Sequence, residues 1–225
     1  MEGRDIYIIS DWHWTNPACS LAATDRVLDR AEEDDALILD AGDLFDCWYR
    51  DVEHIREVYH SRIQRIQKRL FFKVAGNHDS AVLHVQPVLS PTSYPFRAVM
   101  VDGRVWYVEH GHLIGKWACL FKKLDEYDEK WWFRKVGRWV IKQDFLSEAG
   151  RKYDDPEFKF AAIRKAKLKG ATVVVIGHNH IQEIYRDVTG QMEVTYVNPG
   201  TALGDRCTYI VYRHKERDFC RKFAW

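Results

Sequence analysis

The sequence lacks the features that mark secreted, disulfide-bonded or membrane-spanning proteins. Its five cysteines are an odd number, widely spaced and without a CxxC pair, which argues against a disulfide framework or a thiolate zinc site. No apolar run approaches the roughly 20 residues of a transmembrane helix. The chain does not open with a basic segment followed by an apolar one. We therefore expect a soluble cytoplasmic protein in a reducing compartment.

An excess of charge of one sign is also missing. The chain has 34 lysines and arginines against 33 aspartates and glutamates, a formal net charge of +1. This balance gives no global attraction to nucleic acid or anionic lipid, so a charged ligand must be recognised by a local site. With 225 residues, 46% of them hydrophobic, the chain can bury one substantial core. We predict one domain over residues 1–225, with an insertion at about 112–156.

Four short apolar runs predict buried strands. They are Ile6–Ser10, Ala36–Asp40, Leu70–Ala75 and Thr172–Ile176. Their length and their β-branched and aromatic residues favour strands over helices. Open α/β sheets bind ligands beyond the carboxyl ends of their strands, so the loops that follow these runs are candidate site loops.

Apolar residues at helical spacing occur in the first half of the chain, and hairpin patterns occur in the second half. Thr24–Glu33 and Val52–Leu70 carry apolar residues at helical spacing. Asp102-Gly103 is a strong hairpin signal between Phe96–Val101 and Val105–Glu109. Two further hairpins pair Gln182–Asp187 with Glu193–Val197, and Arg206–Arg213 with Arg217–Phe223. We predict an α/β fold, a four-layer α-β-β-α sandwich of two mixed sheets flanked by helices, with a helical insertion or cap.

The segment at about 112–156 is rich in tryptophan, lysine and arginine. Its helical spacing predicts a cap above the strand ends. It could be a packed cap with solvated lysines, a helix pair at a membrane surface or a surface for nucleic acid. Ten cations against six anions leave only about +4, which is weak for a nuclease. No obligate protein partner is evident.

Seven short motifs rich in Asp, Asn and His follow one another along the chain. They are Asp11-Trp12-His13, Gly42-Asp43, Asp46, Gly76-Asn77-His78-Asp79, His110-Gly111-His112, Gly177-His178-Asn179-His180 and Asn198-Pro199-Gly200. Their carboxylate, amide and imidazole groups suit Mn, Fe, Zn or Ni. Asp43 has two oxygens that can bridge ions roughly 3.5–4 Å apart, the separation in two-metal phosphatases. The motifs point to a hydrolase that acts on phosphate esters.

Single motifs have ordinary structural interpretations as well. Asp43 could form a turn or cap a helix, Asn77 could form an Asx-turn, and His78 could be a structural histidine beside the site. Asp11 and His13 are two apart at a strand end, so in an extended conformation their side chains emerge on one side. A lone DxH or HxH pair is weak, because surface turns and core histidines supply many of them. The evidence for a metal site comes from the combination of the motifs, not from any one of them.

The order of motifs resembles the calcineurin-like metallophosphoesterase superfamily, whose pattern is D-x-H, G-D-x-x-D, G-N-H-D/E, H and G-H-x-H. The resemblance covers the chain from about Asp5 to Gly204. It implies two divalent ions, with Mn expected and Fe, Zn, Ni or Mg as alternatives. One ion would be held by Asp11, His13, Asp43 and His180, and the other by Asp43, Asn77, His110 and His178.

The same resemblance implies His78 and Asp46 as the catalytic pair. His78 would contact the phosphate and protonate the leaving alkoxide, while Asp46 would orient the imidazole and keep it protonated. An imidazole with a pKa near neutrality suits this role. The implied reaction is hydrolysis of a phosphomonoester or phosphodiester by a hydroxide that bridges the ions. Some members of such folds are scaffolds without activity, but this chain retains all the implied ligands and His78.

One branch of the superfamily is an alternative. The run Gly42–Trp48 and the long insertion after His110 are similar to the UDP-2,3-diacylglucosamine pyrophosphatases, which cleave a lipid-linked pyrophosphate at the membrane surface. This chain departs from that branch at His78, where the branch has arginine, and at His112, where it has aspartate. Both departures favour a general phosphomonoesterase or phosphodiesterase.

Overall fold

The computed structural model describes residues 3–47, 49–79, 88–93, 95–114 and 156–225. Most of the predicted insertion, residues 115–155, lies outside these ranges, so its boundaries and its role as a cap stay predictions, as does the single domain. None of the helices within the described ranges combines the length and the apolar character needed to cross a membrane.

Eleven strands and four helices are present in the described ranges. In chain order the strands are β1 Ile6–Ile9, β2 Leu37–Asp40, β3 Leu70–Val74, β4 Thr92–Ser93, β5 Phe96–Val101, β6 Arg104–Glu109, β7 Val173–Ile176, β8 Glu183–Asp187, β9 Val194–Asn198, β10 Cys207–Arg213 and β11 Asp218–Ala224. The helices are α1 Leu21–Glu33, α2 Val52–Val58, α3 His60–Arg69 and α4 Pro156–Leu168.

The strands form two mixed sheets. The first has the order β11-β10-β1-β2-β3-β4, with β1 to β4 parallel and β10 and β11 antiparallel. The second has the order β5-β6-β7-β9-β8, in which β6, β7 and β9 are parallel. Because parallel strands end at the same edge of a sheet, the loops after β1, β2 and β3 meet, and so do those after β6 and β7.

Three clusters of buried hydrophobic residues separate four layers. The middle cluster joins Ile8 and Leu39 of the first sheet to Val108 and Val175 of the second. A second cluster packs α1, α2 and α3 on the other face of the first sheet, and a third packs α4 on the second sheet. Each fully buried aliphatic side chain stabilises this arrangement by roughly 1.5–3 kcal/mol. The predicted α-β-β-α sandwich is confirmed.

The single helix predicted over Val52–Leu70 is wrong, because two helices occupy this segment. Tyr59 lies between them with φ −102°, and its hydroxyl donates a hydrogen bond to the carbonyl of Trp14. Its ring also stacks on the Trp14 ring, with centroids 5.7 Å apart. This tertiary anchor interrupts a periodicity that is continuous in the sequence. Leu70 belongs to β3, where it pairs with Ile38.

Candidate metal centre

The loops after five parallel strands bring the predicted site residues to one edge of the two sheets. The loop after β1 carries Asp11 and His13, and the loops after β2, β3, β6 and β7 carry Asp43, Asn77 with His78, His110, and His178 with His180. Three parallel strands of the first sheet and two of the second end here, so residues far apart in the chain become neighbours.

Three imidazoles surround one oxygen of Asp11. His180 Nε2 lies 3.2 Å from Asp11 Oδ1, His13 Nε2 lies 3.8 Å from it, and His110 Nε2 lies 3.9 Å from it. His110 Nε2 is also 3.0 Å from Asp43 Oδ2. Two carboxylates therefore converge on histidines from both sheets.

The potential ligand atoms form three overlapping groups, each with its atoms within 4.8 Å of one another. The groups are Asp11 with His13 and His180, His13 with Asp43 and His78, and Asp11 with Asp43 and His110. Asp11, His13 and Asp43 each belong to two groups. Shared ligands of this kind are what two adjacent ions require.

Some buried polar atoms of the site face other ligand residues without a hydrogen bond of ordinary geometry in the described structure. They include Asp11 Oδ1, Asn77 Oδ1 and His110 Nε2. Buried polar atoms are normally satisfied, and all three belong to residues predicted to bind metal. Their chemistry, two oxygens and an imidazole nitrogen, suits a divalent cation. The residues present therefore fit the expected ions.

The second polar atom of the Asp11, Asp43 and His110 side chains is held by contacts within the protein. Asp11 Oδ2 accepts hydrogen bonds from the His178 backbone N–H at 2.9 Å and from the Ser10 hydroxyl. Asp43 Oδ1 accepts one from the His78 backbone N–H at 2.8 Å. His110 Nδ1 lies 3.0 Å from the Ala41 carbonyl, which leaves Nε2 to face the carboxylates. Such outer contacts orient metal ligands and fix the histidine tautomer.

Backbone strain is concentrated at the site. Eight non-glycine residues of the described ranges have positive φ, and five of them are predicted ligands: Asp11, His13, Asp43, His178 and His180, with φ between 48° and 72°. The extended conformation expected for Asp11 and His13 is therefore wrong. The left-handed region is unfavourable for residues with a side chain, and it persists where surrounding contacts enforce it, often at functional sites.

Close packing in the site loops requires glycine at two positions. A Cβ on Gly42, which has φ +108°, would lie 2.6 Å from His110 Nδ1. A Cβ on Gly76 would lie 2.0 Å from Asp43 Oδ1. The glycines of two motifs thus allow the backbone to pack closely against the ligand side chains.

His78 belongs to one of the three groups, with His13 and Asp43, and its ring contacts Asp46. His78 Nδ1 lies 2.9 Å from Asp46 Oδ1, and the other Asp46 oxygen lies 3.5 Å from His13 Nδ1. The side chains of His78 and His180 are 12% and 26% exposed, whereas those of Asp11 and His110 are fully buried. The opening of the site is therefore on the side of His78 and His180.

The charges of the site shift its acids and bases. Burial lowers the pKa of His78, but Asp46 and Asp43 outweigh burial and raise this pKa to about 9. Burial raises the pKa values of Asp11 and Asp43, but neighbouring imidazoles, His110 first, hold both below their ordinary range. Burial, followed by the charge on His110, keeps the pKa of His178 well below its ordinary value. This shift favours the neutral imidazole of His178, which is the form that binds a metal ion.

His178 lies in none of the three ligand groups. Its ring centroid is 5.3 Å from that of His110, and its backbone N–H holds Asp11. The side-chain oxygen of Asn77 is buried and makes no hydrogen bond within the described residues. The ligand roles of His178 and Asn77 stay predictions.

The late Asn-Pro-Gly turn supports the site from outside. Asn198 Nδ2 donates to the Gly177 carbonyl at 3.2 Å and to Asn179 Oδ1 at 2.6 Å. The Thr201 hydroxyl donates to the Asp11 carbonyl at 2.7 Å. The turn therefore holds the loop that carries His178 and His180, as well as the end of β1.

Three charged residues beneath the site were not identified from the sequence. Lys73 of β3 is buried, and its Nζ lies 2.7 Å from Asp40 Oδ2 and 2.5 Å from Asp79 Oδ2. Asp79 was noted as part of a motif, but without a role. The available signal was a lysine within an apolar run, Leu70–Ala75, that predicts a buried strand.

A family model matches most of the chain. The model described as calcineurin-like phosphoesterase matches residues 5–182, a range that includes every predicted ligand. A search of the curated proteins gives no significant match.

Solved structures share the fold at low sequence identity. Vacuolar protein sorting 29 from Cryptosporidium parvum aligns with a TM-score of 0.52 and 14% identity, over 99% of this chain and 97% of that chain. An archaeal phosphodiesterase aligns with a TM-score of 0.54 and 15% identity, over 97% and 99%. Vps29 from Entamoeba histolytica in complex with Zn²⁺ aligns with a TM-score of 0.53 and 13% identity, over 98% of each chain. At these identities the likeness establishes the architecture alone.

Proposed function

The chain belongs to the calcineurin-like phosphoesterase family, and from this premise we propose that it hydrolyses a phosphomonoester or phosphodiester with two divalent ions. Membership of this family supports metal-dependent hydrolysis of phosphate esters in general. The observation that carries the proposal is the convergence of Asp11, His13, Asp43, His110 and His180 into overlapping groups of ligand atoms.

One ion would be held by Asp11, His13, Asp43 and His180, and the other by Asp43, Asn77, His110 and His178. Buried Asp11 Oδ1, Asn77 Oδ1 and His110 Nε2, which make no hydrogen bond of ordinary geometry within the described residues, support this division. Mn²⁺ is the proposed metal because the family resemblance implies it, and the mixed carboxylate, amide and imidazole ligands also suit Fe, Zn or Ni. The bound ions would supply Lewis acidity that stabilises charge on the phosphoryl group and activates water.

The chain itself supplies the proton for the leaving group. His78 donates through Nδ1 to Asp46 Oδ1 at 2.9 Å, and Nε2 would donate the proton to the leaving oxygen. Asp46 and Asp43 favour the protonated imidazole. His78 lies on the exposed side of the site, where the leaving oxygen of a bound ester would emerge. Positioned general acids of this type contribute about 10²–10⁴-fold to rate.

The substrate class rests on comparison and on the residues of the site. The archaeal neighbour is named a phosphodiesterase, which supports diesters as well as monoesters. The lipid pyrophosphatase alternative depends on the segment at 112–156 contacting a lipid or a membrane surface. A cytoplasmic location is proposed because the cysteines are odd in number and lack a CxxC pair.

The test is a substrate panel on metal-stripped protein reloaded with Mn²⁺, Mg²⁺ or Ni²⁺. It contains aryl and alkyl phosphomonoesters, phosphodiesters, cyclic nucleotides and UDP-diacylglucosamine. Asp43→Asn is the site variant, and His60→Gln is the control, because His60 is an exposed histidine on α3 that contacts Gln64. We expect Mn²⁺-dependent cleavage of a monoester or diester by the wild type and by His60→Gln.

Full activity in Asp43→Asn would contradict the two-ion mechanism. Exclusive cleavage of UDP-diacylglucosamine would replace the proposal with the lipid pyrophosphatase alternative. Absence of metal binding and of hydrolysis in the wild type would leave a scaffold as the remaining function.

A further inference from the structure

A buried lysine connects the two loops that carry Asp43 and Asn77. Lys73 lies in β3 with 2% of its side chain exposed, and its Nζ contacts Asp40 at 2.7 Å and Asp79 at 2.5 Å. The ammonium also lies 5.9 Å from the centroid of the Phe45 ring. Lysine is rarely buried in full, and removing an ammonium from water is costly unless partners surround it.

The Asp79 carboxylate is bound to the backbone of both loops. Asp79 Oδ2 accepts hydrogen bonds from the Asp43 N–H at 2.8 Å and from the Gly76 N–H at 3.3 Å. Asp79 Oδ1 accepts one from the Phe45 N–H at 3.1 Å. One carboxylate thus fixes the backbone at the ligand Asp43 and at the residue before the ligand Asn77.

The Asp40 carboxylate carries the same connection toward β1. Asp40 Oδ1 accepts a hydrogen bond from the Gly42 N–H at 2.9 Å. The Gly42 carbonyl in turn accepts one from the Asp11 N–H at 2.9 Å. Lys73 therefore stands at the centre of a chain of contacts that reaches Asp11, Asp43 and Gly76.

Two buried carboxylates that touch the same ammonium depend on its charge. Without Lys73, Asp40 and Asp79 would be two buried carboxylates with no cation between them, and their side chains would move. Such a movement disturbs the acceptors that hold Gly42 and Asp43. Gly76 packs so closely on Asp43 that an added Cβ would lie 2.0 Å from Asp43 Oδ1, so a shift of either loop would also displace the Asp43 carboxylate.

We propose that Lys73 is a positioning residue of the metal centre, which sets the geometry of Asp43 and the Asn77 loop through Asp79 and Asp40. The inference rests on the proposed function, because it assigns Lys73 a part in metal binding at that same site. A positioning role of Lys73 can be distinguished from a contribution to folding alone by one measurement, the affinity for metal. Removing Lys73 should weaken metal binding in protein that is still folded.

The experiment compares Mn²⁺ binding by stripped, full-length variants. Affinity and stoichiometry are measured by calorimetry, and the signal of the Mn²⁺ pair by electron paramagnetic resonance. The test variant is Lys73→Met. Lys167→Met is the matched control, because Lys167 pairs with Asp187 at 2.8 Å and contacts none of the ligand loops. Ile66→Ala, a truncation of a fully buried side chain in α3, controls for lost stability.

Lys73→Met is expected to bind Mn²⁺ about 10–100-fold more weakly, as for other residues that support metal ligands, and to lose the signal of the coupled pair. Both controls should keep the wild-type affinity and signal. If Lys73→Met does not fold, Asp79→Asn takes its place, because the contact of Lys73 with Asp43 runs through Asp79.

Wild-type affinity in a folded Lys73→Met, or in Asp79→Asn where that variant is used, overturns the positioning role while leaving the proposed function intact. Equal weakening in Ile66→Ala also overturns it, because stability would then be the cause. A wild type that binds no pair of Mn²⁺ ions overturns both proposals.

Discussion

Asp43 Oδ1 accepts a hydrogen bond from the backbone N–H of His78 at 2.8 Å. The carboxylate proposed to bridge two ions is therefore tied to the residue proposed to donate the proton. Because the donor is a backbone N–H, this bond restrains the two loops relative to each other and is retained when the His78 side chain is replaced.

His78→Gln should lower kcat most for substrates with poor leaving groups. The loss should be about 10²–10⁴-fold for an alkyl phosphate and small for a nitrophenyl ester, whose leaving group needs no proton. Steady-state kinetics on a series of esters measures this dependence. His60→Gln is the control, and an equal loss for all leaving groups would show that His78 is not the acid.

Asn77→Ala and His178→Ala should each reduce the stoichiometry of bound Mn²⁺ from two ions toward one. Both residues are assigned to the same ion, whereas Asp43 is assigned to both, so Asp43→Asn should impair both. Elemental analysis after dialysis provides the count. Two tightly held ions in both alanine variants would remove Asn77 and His178 from the ligand set.

Gly76→Ala should weaken Mn²⁺ binding because the new methyl group would meet Asp43 Oδ1 at 2.0 Å. Overpacking of this kind costs about 1–3 kcal/mol of the free energy of unfolding. Gly170→Ala has open space around its Cβ but φ +67°, so it should lose about 1–2 kcal/mol through the backbone and retain metal affinity. Denaturation and calorimetry on both variants separate the two effects, and equal metal affinity in the two would refute the steric argument.

Cys19 and Cys207 should react slowly with iodoacetamide at pH 8. Burial raises the pKa of Cys19 to about 12 and raises that of Cys207 well above its ordinary value. A raised pKa favours the neutral thiol, so the thiolate fraction of Cys19 at pH 8 is about a thousandfold below that of an ordinary thiol and rises with pH. Mass spectrometry of alkylated peptides measures each rate.

Cys220 of β11, which is partly exposed as Cys19 is, is the internal comparison for this experiment. In denaturant, all three thiols should react at similar rates. Rapid labelling of Cys19 in the native protein at pH 8 would show that the environment of this thiol is more open than the structure indicates.

The main strands were predictable because their signals are local. The apolar runs that became β1, β2, β3 and β7 are distinguished by length and composition within a few residues. The split between α2 and α3 was not predictable, because it depends on the contact of Tyr59 with Trp14, 45 positions earlier in the chain. Periodicity alone cannot report such a contact.

Some features of the candidate site were likewise predictable from the sequence, and others were not. The residue types of the ligands and their placement after strands followed from the motifs of the sequence. The left-handed backbone at Asp11 and His180 did not, because conformation in that region is enforced by packing and hydrogen bonds from other loops. Lys73 was missed for a related reason, since its partners lie 33 positions before it and 6 after it.

Residue type and short spacing were enough to predict where the main strands lie along the chain and which oxygen and imidazole groups follow them. Which oxygen of Asp11 faces the imidazoles depends on the folded chain, since the other oxygen accepts a hydrogen bond from His178, 167 positions away. The connection of Lys73 to Asp43 through Asp79 also depends on the folded chain. Charges and hydrogen bonds act through space, so these relationships exist only once the two sheets have packed together.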